Sequence, residues 1–455
     1  MSTDTPQHEH PLLAARRQRV DRFVRPVQSF INTETAGGVV LLLAALVAIV
    51  WANSPWEHSY HEILEHHFLV DLGFWSLDKP VHFWINDVLM VVFFFVVGLE
   101  IKREAVVGEL SDLRRVIVPI VAAIGGMVAP ALIFTALVAG GDGAGGWGIP
   151  IATDIAFAVG VLAVVGPRVP FGLKVMLLAL AIVDDIGGII VIAIFYTSDL
   201  AMVPLAATAG LLALAYFFRQ LGVWYIPLYI AIGIAGWVTT YESGIHPTIV
   251  GVMLGLLAPW KAWYQETGFA TLAEREVERF REATRSHDHE FAHEQKLGAA
   301  MTLQALAQQA ISPLDRLEHQ LAPMAAFLIV PIFAFANAGV SLSLDTLGDA
   351  VKAPVALGVF FGLLIGKPVG ILVATWLVVK AGAKLPTGVT WPAVFGMGTI
   401  AGIGFTVSLL ITELSFDDEH LITDAKIAIL FASAFAGILG FAMLKRIYGG
   451  APAER

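Results

Sequence analysis

The chain has 455 residues, 57% of them hydrophobic and only 15% charged, with a mean hydropathy of +0.75. A water-soluble surface cannot be tiled from so few charges, so the length reads as one integral membrane protein and not as several soluble domains. The net charge of -10 with only 28 Lys and Arg argues against a nucleic-acid footprint, and the absence of Cys excludes disulfides, thiolate metal sites and thiol chemistry.

Residues 1–34 lack the basic, apolar and small-residue order of a cleavable secretion signal, so the N-terminus is expected to stay in the cytoplasm. Within them Val20, Phe23, Val24, Val27 and Phe30 recur at helical spacing among Arg16, Arg17, Arg19, Arg22 and Arg25. That pattern suits a helix lying at the membrane interface, with a solvated helix as the alternative.

From Gly37 onward the apolar runs approach bilayer length, about 20 residues at about 1.5 Å rise each. Twelve spans are expected: Gly37–Trp51, Phe83–Leu99, Val116–Val138, Trp147–Val165, Leu173–Tyr196, Met202–Phe218, Val223–Thr239, Ile245–Leu257, Met324–Val340, Val355–Val379, Trp391–Thr412 and Ala425–Leu444. The chain thus divides into a cytoplasmic segment 1–34, spans one to eight over 35–260, a polar cytoplasmic loop 261–320 carrying a helix-prone charged run, spans nine to twelve over 321–446, and a cytoplasmic tail 447–455. With this topology 24 of the 28 Lys and Arg fall on the cytoplasmic side, and only Lys79, Lys352 and Lys426 lie outside. Between the first two spans, two short strand-like runs around Gly73 and Asp78–Pro80 suggest a β-hairpin; a two-stranded element is marginal alone and invites pairing with a second protomer.

A charge at mid-bilayer costs about 2.5–3.5 kcal/mol on insertion scales, so each one asks for a partner and a purpose. Asp87 and Glu100 lie at opposite ends of the second span, Asp154 in the fourth, Asp184 and Asp185 in the fifth, and Lys367 in the tenth. The midpoint of Leu173–Tyr196 falls between residues 184 and 185 and that of Val355–Val379 falls on residue 367, so the acid pair and the lysine share a level. Adjacent helical residues point about 100° apart. One acid can therefore meet Lys367 while the other faces an aqueous funnel. A packing ion pair would account for one acid and one base but not for surplus carboxylates, which call for a counter-ion; oxygen ligands suit a hard cation such as Na+.

The fourth span, GWGIPIATDIAFAVGV, and the eleventh, WPAVFGMGTIAGIGFTVS, are rich in Gly and carry Pro, so both are candidates for breaks within the membrane, close packing through the glycines being the alternative. At such breaks Asp154 can balance positive helix N-termini, and Lys367 the facing carbonyls. His246, at the start of the eighth span, reads first as a hydrogen-bonded helix-end residue.

The strings INDVLMVVFFFVVGLEIKRE, ATDIAFAVGVL, LALAIVDDIGGI, SGIHPT, PIFAFANAGVSL, GLLIGKPVGI and GIGFTVSLLI together resemble the NhaA family of bacterial sodium/proton antiporters, from about Phe30 to Arg446. The resemblance implies an all-α polytopic fold of about twelve transmembrane helices, with inverted repeats whose two broken helices cross at mid-membrane. It implies Asp185 as principal Na+-binding carboxylate, Asp184 as its neighbour and proton carrier paired with Lys367, and Thr153 and Asp154 as cation-site or dipole-compensating residues. Asp87 matches a further family acid. Glu100, Arg103, Glu104, Glu318 and His319 match a cytoplasmic pH-response region, with His246 grouped beside them as a titrating residue. Where the family pattern has a second His three residues after His319, this chain has Ala322, which bears on the pH set-point.

The expected function is electrogenic, pH-regulated expulsion of Na+ or Li+ against H+ entry, serving pH homeostasis and salt tolerance, in the bacterial inner membrane with both termini cytoplasmic. The expected protein is not an enzyme, has no cofactor, handles only Na+, Li+ and H+, sits in a lipid bilayer and forms a homodimer, in one arrangement through the loop Leu69–Phe83. An intramembrane aspartyl protease would place its acids on different helices in Tyr-Asp and Gly-x-Gly-Asp contexts, and neither string occurs. A retinal pump would have seven spans, and a channel would conduct without moving protons.

Overall fold

The computed structural model describes residues 34–449, apart from 72, 74–75, 109–112, 167, 198–199, 224, 263–265 and 286–288. The interfacial helix expected before residue 34 and the tail beyond 449 lie outside the described residues.

Bare backbone polar groups are intolerable in hydrocarbon, so helices carry almost every described segment. Glu34–Ala52 (α1) turns through 114° into the short polar helix Glu57–Glu65 (α2). The strands His67–Asp71 (β1) and Ser76–Pro80 (β2) pair antiparallel, His67 opposite Pro80 and Asp71 opposite Ser76, which makes the expected hairpin. Then follow Val81–Val106 (α3) and Leu113–Val138 (α4). The 3-10 segment Asp142–Ile151 meets Ile155–Val165 (α5) at 42°. Phe171–Phe195 (α6), Met202–Gln220 (α7), Ile226–Glu242 (α8) and Thr248–Leu257 (α9) complete the first membrane region. Glu266–Arg285 (α10) and His289–Ala310 (α11) lie in the charged loop. Pro313–Ala338 (α12), Leu344–Ala350 (α13), Pro354–Lys380 (α14), Trp391–Ala401 (α15), Phe405–Ser415 (α16) and Glu419–Tyr448 (α17) complete the chain, α15 and α16 meeting at 48°.

Among the described residues seven helices are long and apolar enough to cross a bilayer, and ten spans result if each of the three bent pairs is one. The difference from the twelve expected lies at α8 and α9. α8, with 17 residues, is as long as the expected run Val223–Thr239 but lies three residues further along; the connection, with Gly244 at φ +83°, leaves α9 with 10, and both fall short of a full crossing. The loop also differs from its outline. Ser312 caps α12 by accepting from the Asp315 amide at 3.1 Å, so the helix starts at Pro313 and takes Glu318 and His319 into its first turns. The rest of the loop is a helix pair, and Ala292, Ala299 and Leu306 of α11 are buried at intervals of seven. It is closed at its base, where the Leu314 amide donates to the Pro259 carbonyl at 3.1 Å.

In lipid, helices associate by close packing and not by escape from water, so small residues mark the tightest crossings. The α4–α14 crossing is one such: a Cβ on Gly370 would strike the Gly125 carbonyl, and one on Gly125 the Gly370 carbonyl. The parallel pair α3–α9 is another, where a Cβ on Gly255 would lie 2.5 Å from the Phe95 carbonyl oxygen. Three π-helical turns interrupt the long helices, at Trp84–Leu89, Ala325–Ile329 and Gly362–Gly366. The first contains Asp87 and the last ends at Lys367, a placement that such turns often have at working sites.

Candidate cation and proton site

A break within a helix exposes amides on one side and carbonyls on the other, and both must be answered locally. The bent pairs Asp142–Ile151 with α5 and α15 with α16 meet at their breaks, where the Asp154 amide donates to the Ile403 carbonyl at 2.7 Å. Asp154 then caps two helices with one carboxylate. Its Oδ1 accepts from the Phe157 amide at the start of α5 (3.1 Å), and its Oδ2 accepts from the Thr406 amide (3.2 Å) and hydroxyl (2.6 Å) at the start of α16. A negative group thus sits where two positive helix ends converge. On the carbonyl side, the Lys367 ammonium donates to Ile151, the last residue of the 3-10 segment. The Ser408 hydroxyl donates to the Ile149 carbonyl at 2.7 Å.

The same ammonium reaches the acid pair. Lys367 Nζ lies 2.7 Å from Asp184 Oδ2, with neither side chain exposed to solvent. Thr153 Oγ1 stands 2.7 Å from the same Oδ2 and 2.9 Å from the Ala401 carbonyl, so its single proton is shared between the two breaks and the acid. Asp184 Oδ1 and Asp185 Oδ1 are buried without a hydrogen-bond partner. Asp185 is 7% exposed, and the charges of Glu100, Asp184, Asp154 and Lys367 all act on it. Five ionisable or hydroxyl side chains from α6, α14 and the first broken helix therefore share one buried neighbourhood, with two carboxylate oxygens left unanswered. Such oxygens are ligands for a proton or a hard cation. Among the described residues no group of three or more His, Cys, Asp or Glu is arranged as a resident metal site.

The sequence profile of the family described as Na+/H+ antiporter 1 matches residues 28–444. Among similar curated proteins are a Na+/H+ antiporter NhaA 2 from Sorangium cellulosum and Na+/H+ antiporters NhaA from Oleidesulfovibrio alaskensis and Koribacter versatilis. The first is 45% identical over 429 residues, 94% of this chain and 91% of that one. The second is 42% identical over 450 residues, 99% and 100% of the two chains, and the third 43% over 434 residues, 95% and 94%. The chain belongs to the NhaA antiporter family. Its members are transporters and not enzymes, and the ions in their names are cargo.

The remaining residues singled out by resemblance to the NhaA family fall in two places. At one end of α3, Arg103 pairs with Glu318 of α12 at 2.5 Å and with Glu104 at 3.0 Å, and the charges of Arg103, Glu318 and Glu104 act on Glu100. Glu100 in turn acts on Asp185, so this cluster is in electrostatic contact with the acid pair. His319 is exposed and Ala322 is half-buried one turn on. His246 is elsewhere: its Nε2 lies 3.5 Å from Asp87 Oδ1 and its Nδ1 2.7 Å from Thr248 Oγ1. Asp87 and Glu100 are thirteen residues apart on α3, about 20 Å at about 1.5 Å per residue, so the His246–Asp87 pair is not part of the Arg103 cluster.

Sequence reasoning passed over Thr406, which does as much for Asp154 as the α5 amides do. Its signal was present in the position: a hydroxyl two residues past Gly404, at the start of the second half-helix. It also missed the buried Asn86 and Asn337, which bond each other at 2.8 Å and join α3 to α12 at the end opposite Arg103 and Glu318.

Proposed function

We propose that this chain is an electrogenic secondary antiporter that expels Na+, or Li+, from the cytoplasm in exchange for entering H+, by competition of cation and protons for Asp184 and Asp185. The observation that carries the reading is the Asp185 carboxylate, buried with an unpartnered oxygen beside an Asp184 that Lys367 already holds. A carboxylate at its ordinary pKa of about 3.9 would stay ionised at cytoplasmic pH and could not trade protons for Na+. Three charged groups sharing one dry neighbourhood titrate as a set, so their proton affinity can sit near the working pH.

In one state protons occupy the acids and Lys367 pairs with Asp184. In the other the acids shed protons on the alkaline inner side and take Na+ on their oxygens, while Thr153 can turn its hydroxyl oxygen toward the ion. Lys367 is the candidate second titrating site, either by losing a proton itself or by releasing Asp184. Exchange of two protons for one Na+ moves net charge, worth about 2.3 kcal/mol per charge per 100 mV of membrane potential. Asp154 and Lys367 compensate the broken helix ends, and Glu100, Arg103, Glu104, Glu318 and His319 carry the pH response, with the set-point adjusted by Ala322.

The same reading takes twelve spans with inverted repeats, both termini cytoplasmic, and an inner-membrane location, supported by the placement of 24 of the 28 Lys and Arg. It takes a homodimer through the β1–β2 hairpin, whose Phe68 and Leu69 are 58% and 59% exposed. The deciding experiment reconstitutes the purified protein in liposomes and follows Na+-driven pH change from about pH 6 to 9, the range in which histidines and perturbed carboxyls titrate. Asp185→Asn should abolish the signal; a variant that still dissipated a proton gradient on Na+ addition would refute the assignment.

A further inference from the structure

We propose that Tyr196 is a positioning residue of the exchange site, holding the backbone row Gly145–Gly148–Ile151 in register with Lys367, a reading that rests on the antiport function above. The row belongs to the first half of the first broken span. Asp142–Ile151 is wound as ten residues of 3-10 helix, a form in which runs beyond three or four are uncommon. Its sequence, DGAGGWGIPI, has four glycines, which weaken any helix, and Pro150, which has no amide proton to give. So long a run needs holding from outside.

Tyr196 supplies the hold. It closes α6, its amide donating to the Ile192 carbonyl at 3.2 Å, so the phenol is placed by the same helix that carries Asp184 and Asp185. Its hydroxyl donates to the Gly145 carbonyl at 2.8 Å and accepts from the Gly148 amide at 3.2 Å. Those are the two groups that one 3-10 turn joins, since its bonds run between residues three apart. The hydroxyl therefore spans a single turn and fixes its pitch. The Ser415 side chain, at the end of α16, also bonds the phenol, and a Cβ on Gly148 would lie 2.6 Å from the phenol oxygen, so the slot takes only a glycine. Beside this junction Trp147 packs edge-on against Phe195 at 5.0 Å, but it lies off the row.

The other end of the row is at the site. A 3-10 helix has about 3.0 residues per turn, so Gly145, Gly148 and Ile151 lie one beyond another, and the Ile151 carbonyl accepts from the Lys367 ammonium. At α-helical pitch, about 100° per residue, the three steps from Gly148 would leave Ile151 about 60° short of that line. Its carbonyl would turn away from the ammonium, and that of Ile149, which accepts from the Ser408 hydroxyl at 2.7 Å, would turn with it. The contacts close a ring: from Tyr196 along the row to Lys367, across to Asp184 at 2.7 Å, and back along α6. With the carbonyl withdrawn, Lys367 is left bonded to Asp184 only, and an arriving Na+ must displace a more tightly held partner.

The test measures Na+-driven H+ exchange in proteoliposomes over a range of Na+ concentrations. Tyr196→Phe keeps the ring and removes the hydroxyl. It should raise the apparent KM for Na+ about tenfold, the worth of one hydrogen bond to a charged group, and leave the maximal rate within about twofold. Gly148→Ala, whose Cβ displaces the phenol, should do the same, and thermal melting checks that each variant folds. Phe195→Leu loosens the packing of the same segment on α6 without touching the row; it should lower the melting temperature and keep KM within about twofold. An unchanged KM in either folded row variant, a fall in rate without a change in KM, or an equal rise of KM in Phe195→Leu would overturn the assignment. Wild-type protein without any Na+-coupled proton movement would instead overturn the antiport reading itself.

Discussion

Lys367 and Asp184 form an ion pair at 2.7 Å in which neither side chain reaches solvent, and the same ammonium donates to the Ile151 carbonyl at the break of a helix. The lysine therefore answers two groups for which no other cation stands among the described residues. Lys367→Met should strand both and cost about 3–5 kcal/mol, as for a broken buried pair. Adding Asp184→Asn should recover a large part of that loss while exchange stays abolished. Melting temperatures of the two singles and the double in detergent measure the coupling, and additive effects would dissociate the pair.

Thr406 gives a cleaner probe of the breaks. Thr406→Val keeps the shape and removes the 2.6 Å hydroxyl bond to Asp154, leaving a buried carboxylate oxygen with one amide. The expected cost is about 1–3 kcal/mol in thermal unfolding, with Thr406→Ser retaining most of the stability. Equal melting of the Val variant and wild type would show that the hydroxyl contributes nothing to the cap.

At the α3–α9 contact, a Cβ on Gly255 would lie 2.5 Å from the Phe95 carbonyl oxygen, which is backbone and cannot swing aside. Gly255→Ala should destabilise by about 1–3 kcal/mol, the usual cost of overpacking. Gly268, in the loop helix α10, would meet nothing with an added Cβ, so Gly268→Ala is the matched control.

The loop that holds α10 and α11 leaves the membrane region at Pro259 and returns at Leu314, bonded to it. Replacing residues 262–311 by a short Gly-Ser linker should leave melting temperature and exchange rate within about twofold, because the ends already meet and loop closure depends weakly on length. A collapse in stability would assign the helix pair a part in the fold.

The membrane class, the acid pair and the level shared by Asp184 and Lys367 were legible because a charge inside an apolar run is rare and helix rise converts residue number to depth. The breaks at Ile151–Ile155 and Ala401–Phe405 were legible for a similar reason: clusters of Gly with Pro favour an interrupted helix, although Pro119 and Pro130 leave α4 continuous. What escaped were partnerships between distant residues of ordinary type, Thr406 with Asp154, Asn86 with Asn337, Glu413 with Lys426. Nothing in the local string distinguishes a Thr that donates to a capping carboxylate 252 residues away from one that bonds its own backbone, as Thr412 does. The places of α8 and α9 were legible too, each lying within three residues of its apolar run at either end.

α3 and α12 run antiparallel and are tied at both extremities, by Arg103–Glu318 at one and by the Asn86–Asn337 bonds at the other, about 27 Å away at about 1.5 Å per residue. Two struts fastened at top and bottom cannot slide past each other. Any rocking that exposes the acid pair first to one compartment and then to the other must fall to the helices around this frame, which makes α3 and α12 the stationary rails against which spectroscopic rulers should be placed.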